Sequence, residues 1–236
     1  AFWIEPRRIL GLAESPSLAT RRIASGEAGR VAIGFTAASG YSFLPKLVEL
    51  ARERLPSVDL ALREMVTGEQ IEALLTGRID LGLIRPPLNR PEFDKLRVMT
   101  EPLVAALPSG DLRLDKAVVS LSDFDALPMI MYAPEGAGYF HGMLSGLFDA
   151  AGVSPQQVQH MSQIHSILAL VHARIGAAIV PEAAMRLHFD GVEFRPLDIS
   201  PARPVELFVA WRRDNDNPSL KPLLDLFRAQ VEDEAP

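Results

Sequence analysis

The chain has 236 residues, of which 48% are hydrophobic, so it is long enough to bury one large core or two smaller ones. Its formal net charge of −6 argues against a large phosphate-binding surface, because affinity for nucleic acid depends mainly on clustered Lys and Arg. The absence of cysteine excludes disulfides and thiolate sites, and no apolar run approaches the roughly 20 residues that a membrane helix needs.

The N-terminal segment, residues 2–25, has the pattern of an interrupted amphipathic helix. Apolar residues such as Phe2 and Ile9 alternate with arginines, and Pro6 and Pro16 break the pattern. An apolar helical face needs a partner, and the sequence leaves two alternatives open: the rest of its own domain or a second subunit.

From residue 30 onward the hydrophobic pattern predicts alternating strands and helices. The predicted order is strand 31–35, polar loop 36–42, helix 43–55, strand 58–66, helix 68–76 and strand 79–84. Two consecutive strand-helix-strand units with crossovers of this length predict a parallel sheet covered by helices.

Segment 63–85 contains the clearest signals for where helices and strands begin and end. Thr67 followed by Gln70 is a capping-box pattern, and Gly77 stands where a helix C-terminus favours a left-handed residue. Residues 79–84 form an apolar run that is typical of a buried parallel strand.

A second series of elements follows residue 86, with a lobe crossing expected near Pro102. The predicted order is strands 96–99 and 103–107, strand 129–132, a glycine-bearing turn 133–138, helix 139–151 ending at Gly152, helix 164–174, strand 177–180, strand 205–211 and a closing helix 220–231. The fold class predicted by both series is α/β.

Small polar residues follow several predicted strands. Thr36 and Ser39 follow the first strand, Thr67 follows the second, and Arg85 follows the third. Ligands of open parallel sheets bind beyond the carboxyl ends of the strands, so these residues predict a site for a small carboxylate, with Arg85 as counter-charge.

Each of these residues also has an ordinary structural explanation. Thr67 can be present as a helix cap alone, and Ser39 as a loop residue. Arg85 can anchor a loop to a surface carboxylate, and Phe140 and Ile164 have the spacing of core residues. The sequence leaves these alternatives open.

Signatures of catalysis, cofactor binding and metal binding do not support an enzyme. The glycines Gly136, Gly138 and Gly142 miss the dinucleotide-binding spacing, and no phosphate-loop lysine or nucleophile-elbow motif occurs. His165 and His172 would stand roughly 10 Å apart on one helix, too far to share a metal ion. We therefore expect no cofactor and no metal.

Several short motifs, taken in order, resemble one known family. They are residues 29–35, 43–45, 55–58, 64–67, 77–82 and 175–181. In this order and spacing the chain resembles the effector-binding domain of LysR-type transcriptional regulators over nearly its whole length, and the branch that senses aromatic acids and catabolic intermediates is the most similar.

The resemblance implies two type II periplasmic-binding-protein-like lobes with an inducer in the cleft between them. It places the end of a linker helix that pairs subunits in residues 1–28, lobe I in 29–102 and 206–236, and lobe II in 103–205. It further implies a cytoplasmic homodimer or homotetramer that contacts promoter DNA through an N-terminal winged helix-turn-helix absent from this chain.

The resemblance also implies which residues contact a small, anionic inducer. They are the first-loop residues Thr36, Ala38, Ser39 and Gly40, then Thr67 and Arg85, and the second-lobe residues Gly138, Phe140 and Ile164.

Two residues depart from the pattern of this family. Ala38 occupies the place of the serine that aromatic-acid sensors use, with Ser39 next to it, and Arg174 stands where glycine is usual. Arg174 either adds charge near the cleft entrance or is solvated.

Two rival functions remain: a transport-associated solute-binding protein of the same two-lobe fold, and a two-lobe enzyme, for which the sequence offers no acid-base residue.

Overall fold

A computed structural model describes residues 28–233 of the chain. The predicted linker helix in residues 1–28 therefore lies almost entirely outside the described residues. Within them the strands are β1 (Gly29–Phe35), β2 (Val58–Glu64), β3 (Leu81–Ile84), β4 (Phe93–Glu101), β5 (Leu103–Pro108), β6 (Val119–Ser120), β7 (Pro128–Tyr132), β8 (Gln156–Met161), β9 (Ala178–Pro181), β10 (Val192–Asp198) and β11 (Val205–Arg212).

The α-helices of the same region are interleaved with these strands. They are α1 (Ala37–Gly40), α2 (Phe43–Arg54), α3 (Thr67–Leu75), α4 (Gly138–Ala151), α5 (Ile164–His172) and α6 (Leu220–Asp233). Short 3₁₀ helices at Leu112–Asp115, Leu121–Phe124 and Glu182–Leu187 complete the list.

The first lobe is built on a five-stranded sheet with the order β2-β1-β3-β11-β4. β1 pairs in parallel with both β2 and β3, which confirms the two predicted strand-helix-strand units. β11 lies between β3 and β4 and pairs antiparallel with both. α2 and α6 cover one face, where Leu47 and Phe227 are buried in one core cluster.

The second lobe is built on a four-stranded sheet, β6-β10-β5-β9, and on the parallel pair β7 and β8. A bridge between Met129 and Ala177 links β7 to the segment before β9, and one hydrophobic cluster joins both sheets. The chain passes between the lobes twice, at Pro102 between β4 and β5 and again between β10 and β11.

The glycine stops confirm the predicted helix ends. Gly77 follows α3 with φ +65°, and Gly152 follows α4 with φ +65°, both in the left-handed region that favours glycine. Arg174 has φ +59° without being glycine, and its Nη2 donates to the carbonyl oxygen of Ser109 at 3.0 Å.

The predicted Thr67–Gln70 capping box is wrong by one residue. The N-cap of α3 is Val66, whose N–H donates to Glu69 Oε2 at 3.2 Å. Gln70 is buried instead, because Gly34 and Gly82 of the sheet leave room for it: a Cβ at Gly82 would lie 3.0 Å from Gln70 Oε1.

Three strands and one helix were not predicted. α1 lies where residues 36–42 were expected to be a polar loop. β6 and β8 have no regular apolar alternation, and β10 alternates only from Val192 to Arg195, before Pro196. β8, with the sequence QQVQHM, is largely exposed. β8 is a strand because it pairs with β7, a contact that its own side chains do not indicate.

Candidate functional site

A cavity of about 600 Å³ lies between the two lobes, which we call the interlobe cavity. On the first-lobe side it is lined by residues 36–38, 64–69 and 85–87, which follow the carboxyl ends of β1, β2 and β3. On the second-lobe side it is lined by Tyr132 and by residues 136–140 and 162–164. Its volume is in the range of sites for small organic ligands.

Three helices begin at the interlobe cavity. The N-cap residues of α3, α4 and α5 are Val66, Ala137 and Gln163, and all three line the cavity. None of them makes a side-chain cap hydrogen bond within the described residues. Because the first N–H groups of a helix have no partner inside the helix, the cavity is surrounded by backbone donors and by the positive ends of three helix dipoles.

The first loop places Thr36 and Ala38 on the cavity wall, whereas Ser39 and Gly40 do not line it. Ser39 is buried, and its hydroxyl donates to Thr36 O at 2.8 Å and accepts from Thr36 N at 3.0 Å. Ser39 thus holds the start of α1 in place, and Thr36, whose Oγ1 accepts from Ser39 N at 3.4 Å, is the hydroxyl-bearing residue of this loop on the cavity wall.

Thr67 is the first residue of α3 and lines the cavity. Its Oγ1 accepts a hydrogen bond from Arg85 N at 3.4 Å, so it joins the start of α3 to the end of β3. The hydroxyl retains its proton for donation to a ligand oxygen.

Arg85 lies on the cavity wall but is only 3% exposed. Its Nη2 lies 3.2 Å from Glu101 Oε1, and its Nη1 donates to Glu206 O at 2.7 Å. Burial lowers the pKa of Arg85, and the charge of Glu101 opposes that shift. The predicted counter-charge is therefore already compensated by a buried carboxylate, and Arg85 does not pair with a surface carboxylate.

The second-lobe wall is aromatic. Phe140 stacks on Tyr132 with ring centroids 4.7 Å apart, and the Arg85 guanidinium lies 5.5 Å from the Phe140 centroid. Gly138 and Ile164 open α4 and α5 beside them, and all of these residues line the cavity. The wall offers flat apolar surface beside the backbone donors.

Tyr139 ties this wall to the segment that returns to the first lobe. Its hydroxyl accepts from Glu206 N at 2.8 Å and donates to Pro204 O at 3.3 Å. The backbone of Glu206 therefore donates to the Tyr139 hydroxyl through its N–H and accepts from Arg85 through its carbonyl oxygen. In this way α4 and the end of β3 are both bonded to one residue of β11.

Two exposed carboxylates, Glu64 and Glu69, also line the interlobe cavity. Together with the paired Arg85 and Glu101 they leave the surroundings of the cavity without excess positive side-chain charge. A ligand with several negative charges would be repelled, whereas one carboxylate can be neutralised by the helix starts.

Residues 28–233 contain no group of three or more His, Cys, Asp or Glu side chains placed to hold a metal ion. Within that same range, no helix has both the length and the apolar character needed to cross a membrane.

Arg174 is not among the residues that line the cavity.

Of the nine predicted contact residues, seven line the cavity: Thr36, Ala38, Thr67, Arg85, Gly138, Phe140 and Ile164. The sequence interpretation did not name Tyr132, Tyr139 or Glu101 as site residues. Tyr132 could have been found by the criterion that selected Thr36 and Thr67, which is a position at the carboxyl end of a strand, because Tyr132 is the last residue of β7. Glu101 has no such signal, because its partner Arg85 is found only through the fold.

Comparison with known proteins agrees with this architecture. The family model described as the LysR substrate binding domain matches residues 24–232. The HTH-type transcriptional regulator AlsR of Bacillus subtilis (strain 168) is 32% identical over 210 residues, which are 89% of this chain and 69% of AlsR.

Solved structures show the same fold. The crystal structure of CbnR, a LysR family transcriptional regulator, has a TM-score of 0.86 and 25% identity, covering 96% of this chain and 78% of that one. The effector binding domain of BenM with its effector benzoate has a TM-score of 0.76 and 24% identity, covering 87% of this chain and 93% of that one.

Proposed function

The chain belongs to the LysR substrate-binding domain family, and from that premise we propose that it senses a small carboxylic acid bound between its two lobes. It is the effector-binding domain of a LysR-type transcriptional regulator. Relatives named as transcriptional regulators favour this function over a transport-associated solute-binding protein. We further propose that the chain catalyses no reaction and acts in the cytoplasm.

The observation that supports a carboxylate is the meeting of three helix starts at one cavity. α3, α4 and α5 all begin there without a side-chain cap hydrogen bond from their N-cap residues in the described region. Backbone N–H groups at a helix start bind carboxylates well, and the aromatic wall formed by Tyr132 and Phe140 suits a flat apolar body. The neighbour BenM, whose fold is the same, has benzoate as its effector.

The proposed contact residues are those that line the cavity, with Thr36 and Thr67 as hydroxyl donors and Ala38, Gly138, Phe140 and Ile164 as wall. Arg85 supports the site through Thr67 and Glu101. We assign Ser39 and Gly40 to positioning the first loop, because they do not line the cavity.

Regulation requires that the ligand favour one arrangement of the lobes over another. We propose lobe I at residues 29–102 and 206–236, lobe II at 103–205, and the end of a linker helix in residues 1–28. On this proposal ligand binding alters a homodimer or homotetramer. The contact with promoter DNA is made by a winged helix-turn-helix outside these 236 residues, which agrees with the net charge of −6.

A thermal-shift screen of the chain against small aromatic and aliphatic acids tests the proposal, followed by calorimetric titration of the best acid. A ligand present at 100 times its dissociation constant stabilises the folded state by about 2.7 kcal/mol. We expect at least one acid to stabilise the chain and to bind Thr67→Val about tenfold more weakly, because a charged acceptor loses one hydrogen bond.

Thr76→Val is the matched control, because Thr76 follows the other end of α3 and does not line the cavity. Its affinity for the acid should equal that of the unaltered chain. Equal weakening in both variants, or no response to any acid, would contradict the proposed site.

A further inference from the structure

Tyr132 ends β7 on the wall of the interlobe cavity and is 1% exposed. Its ring is held by stacking on Phe140, with an angle of 23° between the ring planes. Its hydroxyl has no hydrogen-bond partner among the residues that the structure describes. A buried hydroxyl without a partner costs free energy, so a ligand atom that accepts its proton would gain affinity.

A second unused donor belongs to Arg85, which lies on the same wall and is 3% exposed. Both terminal nitrogens of its guanidinium are engaged, by Glu206 O and by Glu101, whereas Nε has no partner among the described residues. Tyr132 and Arg85 both contact Phe140, whose ring centroid lies 4.7 Å from that of Tyr132 and 5.5 Å from the Arg85 guanidinium carbon. Two buried donors thus occur at one part of the cavity.

Both oxygens of Glu101 in the ion pair already accept a hydrogen bond. Glu101 Oε1 accepts from Arg85 at 3.2 Å, and Glu101 Oε2 accepts from Ala183 N at 3.1 Å. The hydroxyl of Tyr132 and the Nε–H of Arg85 have no partner among the described residues, so an acceptor that the ligand supplies can satisfy them.

The charge of that ligand atom follows from the ion pair. The positive charge of Arg85 is already compensated by Glu101, so a second carboxylate at this place would face a buried carboxylate without a cation of its own. A neutral oxygen, as in a ketone, amide or ether, accepts the same hydrogen bonds without that repulsion.

We propose that Tyr132 and Arg85 form a subsite of the interlobe cavity that receives a neutral hydrogen-bond acceptor of the effector, remote from its carboxylate. This inference rests on the proposed function, which assigns the carboxylate to the helix starts. The effector is then a monocarboxylic acid that carries a carbonyl or ether oxygen, and Tyr132 distinguishes it from acids with an alkyl group or a second carboxylate there.

The test compares isosteric probes by calorimetric titration of the chain. The first set is 3- and 4-acetylbenzoate, 3- and 4-isopropylbenzoate, isophthalate and terephthalate. The second set is 4-oxopentanoate, 4-methylpentanoate and succinate. Within each set the probes share one carboxylate and differ in whether the far group is a neutral acceptor, an alkyl group or an anion.

We expect an acetyl or oxo acid to bind at least about fivefold more tightly than its alkyl isostere and its dicarboxylate partner. This factor is what one additional hydrogen bond to a buried donor contributes to affinity. In Tyr132→Phe that preference should fall to within about twofold, while the alkyl acid keeps its affinity. Tyr41→Phe is the matched control: Tyr41 does not line the cavity, so the preference should persist.

Equal affinity for the acetyl and alkyl acids, tightest binding of a dicarboxylate, or a preference that survives Tyr132→Phe overturns the subsite but leaves the carboxylate site standing. Failure of every acid in both sets to bind overturns the proposed function and the subsite with it. The two failures are therefore distinguished by whether the alkyl acids bind.

Discussion

Arg85 and Glu101 form a buried ion pair beside the interlobe cavity, with Nη2 and Oε1 3.2 Å apart and both side chains almost without solvent exposure. Glu101 ends β4, one residue before the chain enters the second lobe, and Arg85 follows β3. Glu101 also accepts from Ala183 N of the second lobe. The pair therefore connects Arg85 on the cavity wall of the first lobe to Ala183 of the second lobe, next to the point where the chain crosses between the lobes.

Glu101→Gln should destabilise the chain strongly, because it leaves the buried charge of Arg85 without compensation. We expect the free energy of unfolding, measured by urea denaturation, to fall by about 3 kcal/mol or more. Glu206→Gln is the control, because the Glu206 carboxylate pairs with the largely exposed Arg97 and should contribute less than about 1 kcal/mol. Equal losses in both variants would show that the buried pair has no special role.

The same Glu101→Gln variant should change the ligand preference. With the carboxylate removed, the charge of Arg85 becomes available to an anion, so terephthalate should gain affinity relative to 4-acetylbenzoate by about tenfold. Competitive titration of the two acids measures the ratio. A ratio equal to that of the unaltered chain would mean that Glu101 does not set the charge preference of the cavity.

Tyr132→Phe should leave the ligand-free chain at least as stable as the unaltered one. The substitution removes a buried hydroxyl that has no partner among the described residues, and it keeps the ring that stacks on Phe140. Urea denaturation without ligand measures the difference. A loss of more than about 1 kcal/mol would mean that the hydroxyl is satisfied in the free protein.

Two glycine substitutions should change stability in opposite directions. A Cβ at Gly176 would lie 2.9 Å from the carbonyl oxygen of Pro128, so Gly176→Ala must displace backbone and should lower the melting temperature. Gly142 is inside α4, where a Cβ would meet nothing within 4 Å, so Gly142→Ala should stabilise by about 0.5–1 kcal/mol. Differential scanning calorimetry tests both, and a stabilised Gly176→Ala would contradict the backbone contact.

Asp111 should make the stability of the second lobe depend on pH. Hydrogen bonds from the Arg113 side chain hold the pKa of Asp111 below its ordinary value, and Oδ2 lies 2.6 Å from Arg113 Nη2. Because the folded-state pKa is lowered, the stabilisation is present above the unfolded pKa of about 3.9 and is lost as the pH falls through the folded pKa.

The measurement compares Asp111→Asn with the unaltered chain by urea denaturation across pH. At pH 7 we expect the variant to be less stable by about 1 kcal/mol, and the difference to shrink below about pH 4. The exposed Asp115 lies in the same 3₁₀ turn, so Asp115→Asn is the control and should change little. A difference for Asp111→Asn that is constant with pH would exclude the ionised pair as its cause.

The first lobe could be predicted well because its signals are local. Apolar residues of β1 and β3 and the glycine stop at Gly77 lie within short windows of sequence, and each window decides its own element. Thr36 and Thr67 were correctly expected near each other, since the carboxyl ends of parallel neighbours meet at one edge of the sheet.

Other features could not be predicted because their partners are distant in the chain. β8 is a polar segment that becomes a strand by pairing with β7, and Gln70 is buried because two glycines of neighbouring strands leave space for it. Whether Ser39 or its neighbour would line the cavity depended on one turn of α1, whose formation the polar sequence did not indicate.

By itself the sequence determined the α/β class and the residues at the strand ends, because these depend on periodicity and on signals that act over a few residues. The two-lobe plan came from the family resemblance that the ordered motifs carry. The tertiary structure alone decided the character of the cavity. It brings Arg85 to Glu101 and to Glu206, 121 residues away, and it buries Tyr132 without a partner. Charge compensation and hydrogen-bond satisfaction depend on which distant groups meet once water is excluded, and no local pattern records that meeting.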